Sequence, residues 1–311
     1  MTSFHQKPLE TFCRRELLDL ELTGVGGLLL HLLGYTQESN QNLLVISPGR
    51  TEAAVKYVEW IYDLKDSGYD IWAIDHRGQG LSGRMLEDTH KGHVEQFEDY
   101  ITDFVNILTY LKQQKKYKKV IVMAHSMGGA IASSAGMKRK GLYDAIILSA
   151  PMLHLKLKGF PSWVARIYFW FLCLLKEGHL YALSRGKAET LAAFKGNRVT
   201  HDRDRYEFYR AQQYHQPLIQ MGGPTNNWVY QASSYVSNYS EEQKLNVPIL
   251  CFLAGDDDYV VNRSIEKYVS AWSDHSQIIK FPKSYHELFM EDDSVRQVIL
   301  IEVRRFLSRF L

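Results

Sequence analysis

An α/β fold, with a mostly parallel central sheet, helices on both faces and a helical insertion, is the architecture this sequence predicts. Three observations carry it. Short apolar runs alternate with amphipathic stretches of helical spacing along both ends of the chain. The runs are apolar nearly throughout, as in parallel strands covered on both faces. The alternation stops after Pro151 and resumes near residue 246.

Residues 17–33 read as a hairpin turning near Gly24 to Gly27, and residues 43–47 (LLVIS) as a buried strand closed by Pro48-Gly49. A helix is expected over 51–65, where Val55, Val58, Trp60, Ile61 and Leu64 share a face, with Gly68 as its stop. Strand 71–74, helix 97–111, strand 120–124, helix 128–138 and strand 145–148 follow. From 152 to about 245 no convincing strand occurs; the stretch is helical, aromatic and basic. Strands return at 247–253 and 277–281, and a closing helix runs from about Ser294, its expected N-cap, to Phe310. The expected division is a core of residues 1–150 and 246–311, with a cap of 151–245 inserted after the strand ending near Ser149.

Composition narrows the function. The chain has 311 residues, 45% hydrophobic and 23% charged, within the globular range and outside the disordered and collagen-like ones. A net charge of +2 lacks the basic excess of a nucleic-acid binder, and none is expected as partner. Cys13, Cys173 and Cys251 are too few and scattered for a disulfide framework or zinc site, and His90 and His93 lack an evident third ligand, so no metal or organic cofactor is expected. The longest apolar run, 167–175, is nine residues, against about 20 for a spanning helix. The first 18 residues carry five charges and no apolar signal core. The expected location is therefore cytoplasmic, with peripheral contact on the inner face of the cytoplasmic membrane as a further expectation.

The chemistry is concentrated at Ala124-His125-Ser126-Met127-Gly128-Gly129, between a predicted strand and a predicted helix. A serine there sits on a tight turn that pushes its hydroxyl into the cleft, with small residues two before and two after. Alanine stands at the first of these positions, giving A-x-S-x-G rather than G-x-S-x-G. Ser126 is the candidate nucleophile, and the backbone N–H of Met127 is one oxyanion donor. A serine hydroxyl needs a base; His286, between the last strand and the last helix, is placed for that role. The orienting acid is expected in Asp256-Asp257-Asp258, with Asp258 chosen and Asp257 second. This run lacks the glycine that a calcium loop of the EF-hand type needs, since its sixth position is Val261. The second oxyanion donor is expected from the loop after strand 43–47. Pro48 has no N–H, which leaves Gly49 or Arg50, with Arg50 favoured.

With Ser47-Pro48-Gly49-Arg50, Asp75-His76-Arg77-Gly78-Gln79-Gly80, Gly92-His93-Val94, His125-Ser126-Met127-Gly128-Gly129, Gly222-Gly223-Pro224-Thr225, Trp228 and Tyr285-His286-Glu287, the sequence resembles the serine hydrolases that include monoacylglycerol lipases and bacterial lysophospholipases. These motifs run from 47 to 287; the Gly222–Trp228 stretch, inside the insertion, is the link to the lysophospholipases. The resemblance implies an α/β-hydrolase core with a helical cap, and cleavage of an acyl ester from a glycerol backbone. Ala124, and Pro48 where the family often has histidine, depart from its pattern. Rival expectations are an esterase for short soluble esters, a peptidase, and a catalytically inactive binding protein of the same fold.

Residues 160–175 hold Phe160, Trp163, Tyr168, Phe169, Trp170 and Phe171. Their plainer role is to cover the mouth of the site, with Trp163, Phe169 and Trp170 as candidate substrate contacts. The sharper one is docking into a membrane interface. Charge is consistent with the second: 12 Lys/Arg against 7 Asp/Glu in 151–245 make +5, against −3 for the remainder. The expected partners are a lipid or ester substrate and an anionic membrane surface.

Overall fold

The computed structural model describes residues 6–156, 161–182, 186 and 193–311. Its eight strands form one sheet in the order β1-β2-β4-β3-β5-β6-β7-β8. β1 (Leu18–Thr23), β2 (Leu29–Tyr35) and β4 (Tyr69–Asp75) pair antiparallel in sequence, β1 with β2 and β2 with β4. The remaining neighbours are parallel: β4, β3 (Asn42–Ser47), β5 (Lys119–His125), β6 (Ala145–Ser149), β7 (Ile249–Ala254) and β8 (Ser276–Phe281).

The all-apolar strands are explained by burial on both sides. In β3, Leu43 and Val45 face one core cluster while Leu44 and Ile46 face the other, following the two-residue period of a strand. The first cluster is roofed by α3 (Phe97–Gln114), α4 (Met127–Lys138) and α8 (Asn262–Trp272). The second is closed by α1 (Gln6–Glu16), α2 (Val58–Leu64) and α9 (Asp293–Leu307).

Every expected strand is present, and differences lie in helix detail. The helix expected over 51–65 becomes a single 3₁₀ turn, Ala54–Tyr57, followed by α2. Thr51 adopts a left-handed φ of 66°, and the preceding loop is held by Glu52 and Gln79 rather than by helical bonds. Asp292, not Ser294, caps α9: its carboxylate accepts from the N–H groups of Ser294 and Val295. α1 and α8 lie outside the sequence expectations. α8 shows the ordinary spacing of Ile265, Val269 and Trp272 on a buried face.

Between β6 and β7 the described residues contain α5 (Ser162–Leu174), α6 (Arg203–His215) and α7 (Asn226–Val236), with single β-bridges but no strand. Phe160 lies outside the described residues. Among the described residues, no helix is long and apolar enough to cross a membrane.

Candidate active site

The sheet sets Ser126 at the carboxyl end of β5. It has φ 49° and ψ −116°, a left-handed turn between strand and helix that a serine adopts only where the surroundings enforce it. Close approach enforces it here. A Cβ on Gly128 would lie 2.1 Å from the Ser47 carbonyl oxygen, so only glycine lets α4 start against β3. Ala124 is fully buried between Ser47 and Leu148 of the flanking strands, where its methyl group is accommodated.

His286 Nε2 lies 2.9 Å from Ser126 Oγ, and His286 Nδ1 lies 2.7 Å from Asp257 Oδ2. With Nδ1 protonated toward the carboxylate, Nε2 is free to accept the serine proton. The loops carrying the two partners are held together: Gly255 N–H donates to Phe281 O at 2.8 Å and Asp256 N–H to Ser284 O at 3.0 Å. Gly255 permits this contact, since a Cβ there would meet Pro282 O at 2.1 Å.

The carboxylate on His286 is thus Asp257, which corrects the choice of Asp258. Asp257 Oδ1 accepts the N–H groups of Tyr259 and Val260 at 2.7 and 3.1 Å, a tight turn that aims its other oxygen at the imidazole. The Asp257 side chain is wholly buried. Burial raises its pKa, but the His286 charge, the imidazole bond and the two backbone donors outweigh it and hold the carboxyl below its ordinary value. Asp258 points the other way, 3.4 Å from Arg198 Nε, and Arg198 Nη2 also reaches Asp256 at 2.8 Å.

The loop after β3, where an oxyanion donor is expected, is built around Glu52. Gly49 N–H is committed to Glu52 Oε2 at 2.5 Å, and Gly49 O accepts from Gln79 Nε2 at 2.9 Å. Arg50 is therefore the next main-chain N–H along this loop. Its guanidinium donates to Gly222 O at 3.1 Å and lies 5.5 Å from the Trp228 ring centroid, which ties the Gly222–Trp228 motif to the loop. Across the cleft, Met127 is the first residue of α4, a position whose N–H has no acceptor within the helix.

Sequence reasoning missed the network beneath this loop. Lys56 Nζ bridges Glu52 Oε1 and Glu287 Oε2, both at 2.6 Å, and Tyr57 OH donates to Glu52 at 2.7 Å. Glu287 adjoins His286, so one buried lysine joins the oxyanion loop to the histidine loop. Burial raises the Glu52 pKa, but the Lys56 charge, with His125 and the hydrogen bonds, brings it down to about 2. Burial, with the His286 and Lys56 charges adding to it, pushes His125 down to about 4, and burial pushes His76 to about 3, so both are neutral at pH 7. The Glu52–Lys56 spacing of four was the available signal, but both residues fell in a stretch read only as amphipathic helix.

Of the aromatic residues expected to touch substrate, Phe169 turns inward, buried in the cluster that includes Met152, Leu153 and Trp228. Trp163 and Trp170 stay on the surface, 61% and 45% exposed. His93 is buried and bonds Thr225, the N-cap of α7, at 2.9 Å; among the described residues no group of side chains suits a metal ion.

This geometry has relatives. A family model, Hydrolase_4 (Serine aminopeptidase, S33), matches residues 38–293. The chain belongs to this family of serine hydrolases. Within it, the chain is 33% identical over 320 aligned residues to lysophospholipase L2 of Escherichia coli K12, covering 99% of this chain and 92% of that protein. It is 28% identical to the probable lysophospholipase L2 of Haemophilus influenzae over 86% of this chain and 84% of the other. Among solved structures it superposes on a soluble variant of the Saccharomyces cerevisiae monoglyceride lipase with a TM-score of 0.72, covering 95% and 96% of the two chains at 17% identity. A Bacillus coagulans carboxyl esterase gives a TM-score of 0.76 at 15% identity, covering 95% and 99%. These likenesses place the Hydrolase_4 chain in the α/β-hydrolase fold.

Proposed function

We propose that this protein releases a fatty acid from a lysophospholipid or monoacylglycerol through an acyl-enzyme. The observation that carries the reading is the unbroken relay from Asp257 through His286 to Ser126, with bonds of 2.7 and 2.9 Å. Ser126 Oγ attacks the acyl carbonyl as His286 Nε2 takes its proton. The N–H groups of Met127 and Arg50 receive the oxyanion. The tetrahedral intermediate collapses, and His286 returns the proton to the departing glycerol alkoxide, leaving Ser126 acylated. Water, deprotonated by His286, then attacks the ester and frees the fatty acid. Asp257 fixes the imidazole tautomer and stabilises the imidazolium.

The lipid substrate is supported by the names of the full-length relatives and by the apolar surface around α5. The description of the family model also names aminopeptidases. A peptidase of this fold needs carboxylates beside the site to hold the substrate amine, and the +5 balance of 151–245 opposes that. Residues 151–245 are taken as a helical cap on a core of 1–150 and 246–311, a division supported by the change from strands to helices after β6. Exposed Trp163, Ile167, Trp170 and Phe171 on α5 support peripheral contact with an anionic membrane.

The test is fatty-acid release from lysophospholipids, monoacylglycerols and short p-nitrophenyl esters, with the wild type and Ser126→Ala. The expected result is cleavage of long-chain lipid esters, reduced at least ~10⁴-fold in the variant, which stays folded. Cleavage of short esters alone would overturn the substrate, and an active Ser126→Ala would overturn the mechanism.

A further inference from the structure

We propose that a cavity between α5 and α7 binds the phosphate headgroup of an anionic membrane lipid, at a place separate from the hydrolytic centre. The inference deepens the membrane-contact part of the proposed function and rests on it. The cavity is about 350 Å³, within the range of small-ligand sites. Arg166 and Trp170 of α5 face Tyr230 and Ser234 of α7, with Ser237 and Asn238 at its end. None of these residues belongs to the Ser126–His286–Asp257 relay.

The chemistry of the lining selects an anion. It holds one cation and no carboxylate. Among the described residues Arg166 forms no ion pair. Ser234, on the cavity wall, has a buried Oγ without a hydrogen-bond partner, a hydroxyl that a side-chain rotation would turn toward a phosphate oxygen. The carboxyl end of α7 would repel an anion, but its carbonyls are occupied. Ser233 O accepts from Ser237 N at 3.2 Å, Ser234 O from Ser237 Oγ at 2.7 Å, and Tyr235 O from Asn238 N at 3.1 Å.

The surroundings select a lipid over a soluble anion. Trp170 lines the cavity and is also 45% exposed, and Trp163, Ile167, Phe171 and Leu174 are exposed along the same helix. A phosphate bound beside this strip is level with aromatic rings that prefer the headgroup region. The +5 charge of 151–245 attracts the same surface.

Sedimentation with vesicles of phosphatidylglycerol and phosphatidylcholine tests this, using the wild type, Arg166→Gln and, as a control for bulk charge, Lys140→Gln in the exposed turn after α4. The expected result is binding by the wild type, about five-fold weaker binding by Arg166→Gln, and less than two-fold loss for Lys140→Gln. Equal losses in the two variants would reduce the effect to bulk charge and overturn the site. If the wild type binds no vesicles, membrane contact and the headgroup site both fall, while its cleavage of a soluble ester reports the hydrolase reading separately. A thermal shift with inorganic phosphate that Arg166→Gln abolishes, at unchanged vesicle affinity, would assign the cavity to a soluble phosphate and overturn the lipid source. Unfolding midpoints of both variants within about 2 °C of the wild type establish that binding losses are not misfolding.

Discussion

α5 and α6 are helices of equal length, 13 residues each, in the same inter-strand segment, and they are attached by opposite means. α6 buries a charge. Arg205 bonds both oxygens of Glu59 at 2.8 Å and reaches Asp202 and Asp293 at 2.7 Å. One turn further along, Tyr209 reaches the loop after β3, where its hydroxyl accepts the Ala53 N–H at 3.0 Å and donates to Thr51 O at 3.2 Å. α5 buries only Ala165 and Phe169 among its 13 residues and leaves most of its large apolar side chains in water. The polar helix is therefore scaffold for the loop after β3 and for the start of α9, whereas the apolar helix is surface. Hydropathy alone reads them the other way round. The lesson is that partnered charge fixes α6, and unpartnered apolar area leaves α5 exposed.

If the fixed side of this pair holds the chemistry, its loops will punish small changes. Asp257→Asn retains the shape and removes the charge opposite His286 Nδ1, so kcat is expected to fall about 10⁴-fold. Asp258→Asn, whose carboxylate pairs with Arg198 rather than with His286, is expected to change kcat less than about three-fold. A steady-state comparison of the two variants on one ester decides the matter. The reverse order would restore Asp258 as the acid and remove the link between the buried loops and catalysis.

How much of this was legible beforehand follows from the range of the signals. The strands were readable because a doubly covered strand must be apolar at every position, as in Leu43 to Ile46. The positions of Ser126 and His286, 2.9 Å apart in the structure, were readable because fold order dictates which turn and which loop they occupy. Asp257 was not separable from Asp258 by order alone, since the choice depends on an Asp257 turn that closes on Tyr259 and Val260. Lys56 was invisible as a site residue because its partner Glu287 is 231 positions away along the chain. Trp163 and Trp170 showed the opposite failure: their aromatic signal was strong, but helical phase turned Phe169 inward and left the other two outside.

The anchoring itself can be weighed. Arg205→Ala removes the guanidinium shared by Glu59, Asp202 and Asp293 at a buried junction, and breaking such a network costs about 3–5 kcal/mol. Trp163→Ser on α5 removes a side chain that is 61% exposed and is expected to cost under about 1 kcal/mol. Urea unfolding of both variants measures the contrast. Similar costs would mean that α5 is as firmly seated as α6, and its exposed face would no longer distinguish it.

The smallest effect is a pH signature confined to the fixed side. Glu52 has a folded pKa of about 2 against an ordinary value of 4.5. A depressed carboxyl contributes its stability in full above pH 4.5, and the contribution is lost as pH falls toward 2. This contribution declines between pH 5 and pH 3. Glu52→Gln keeps an acceptor for the Gly49 N–H but no longer titrates. Its stability at pH 7 is expected to be lower than that of the wild type, and its decline from pH 5 to pH 3 shallower. Arg166→Gln on α5 removes no titrating group in this range, so its curve is expected to parallel the wild type. Unfolding midpoints at half-unit pH steps resolve the three curves. If Glu52→Gln declines as steeply as the wild type, the acid sensitivity belongs to other groups, and the charged junction of Glu52, Lys56 and Glu287 loses its claim to hold the oxyanion and histidine loops in register.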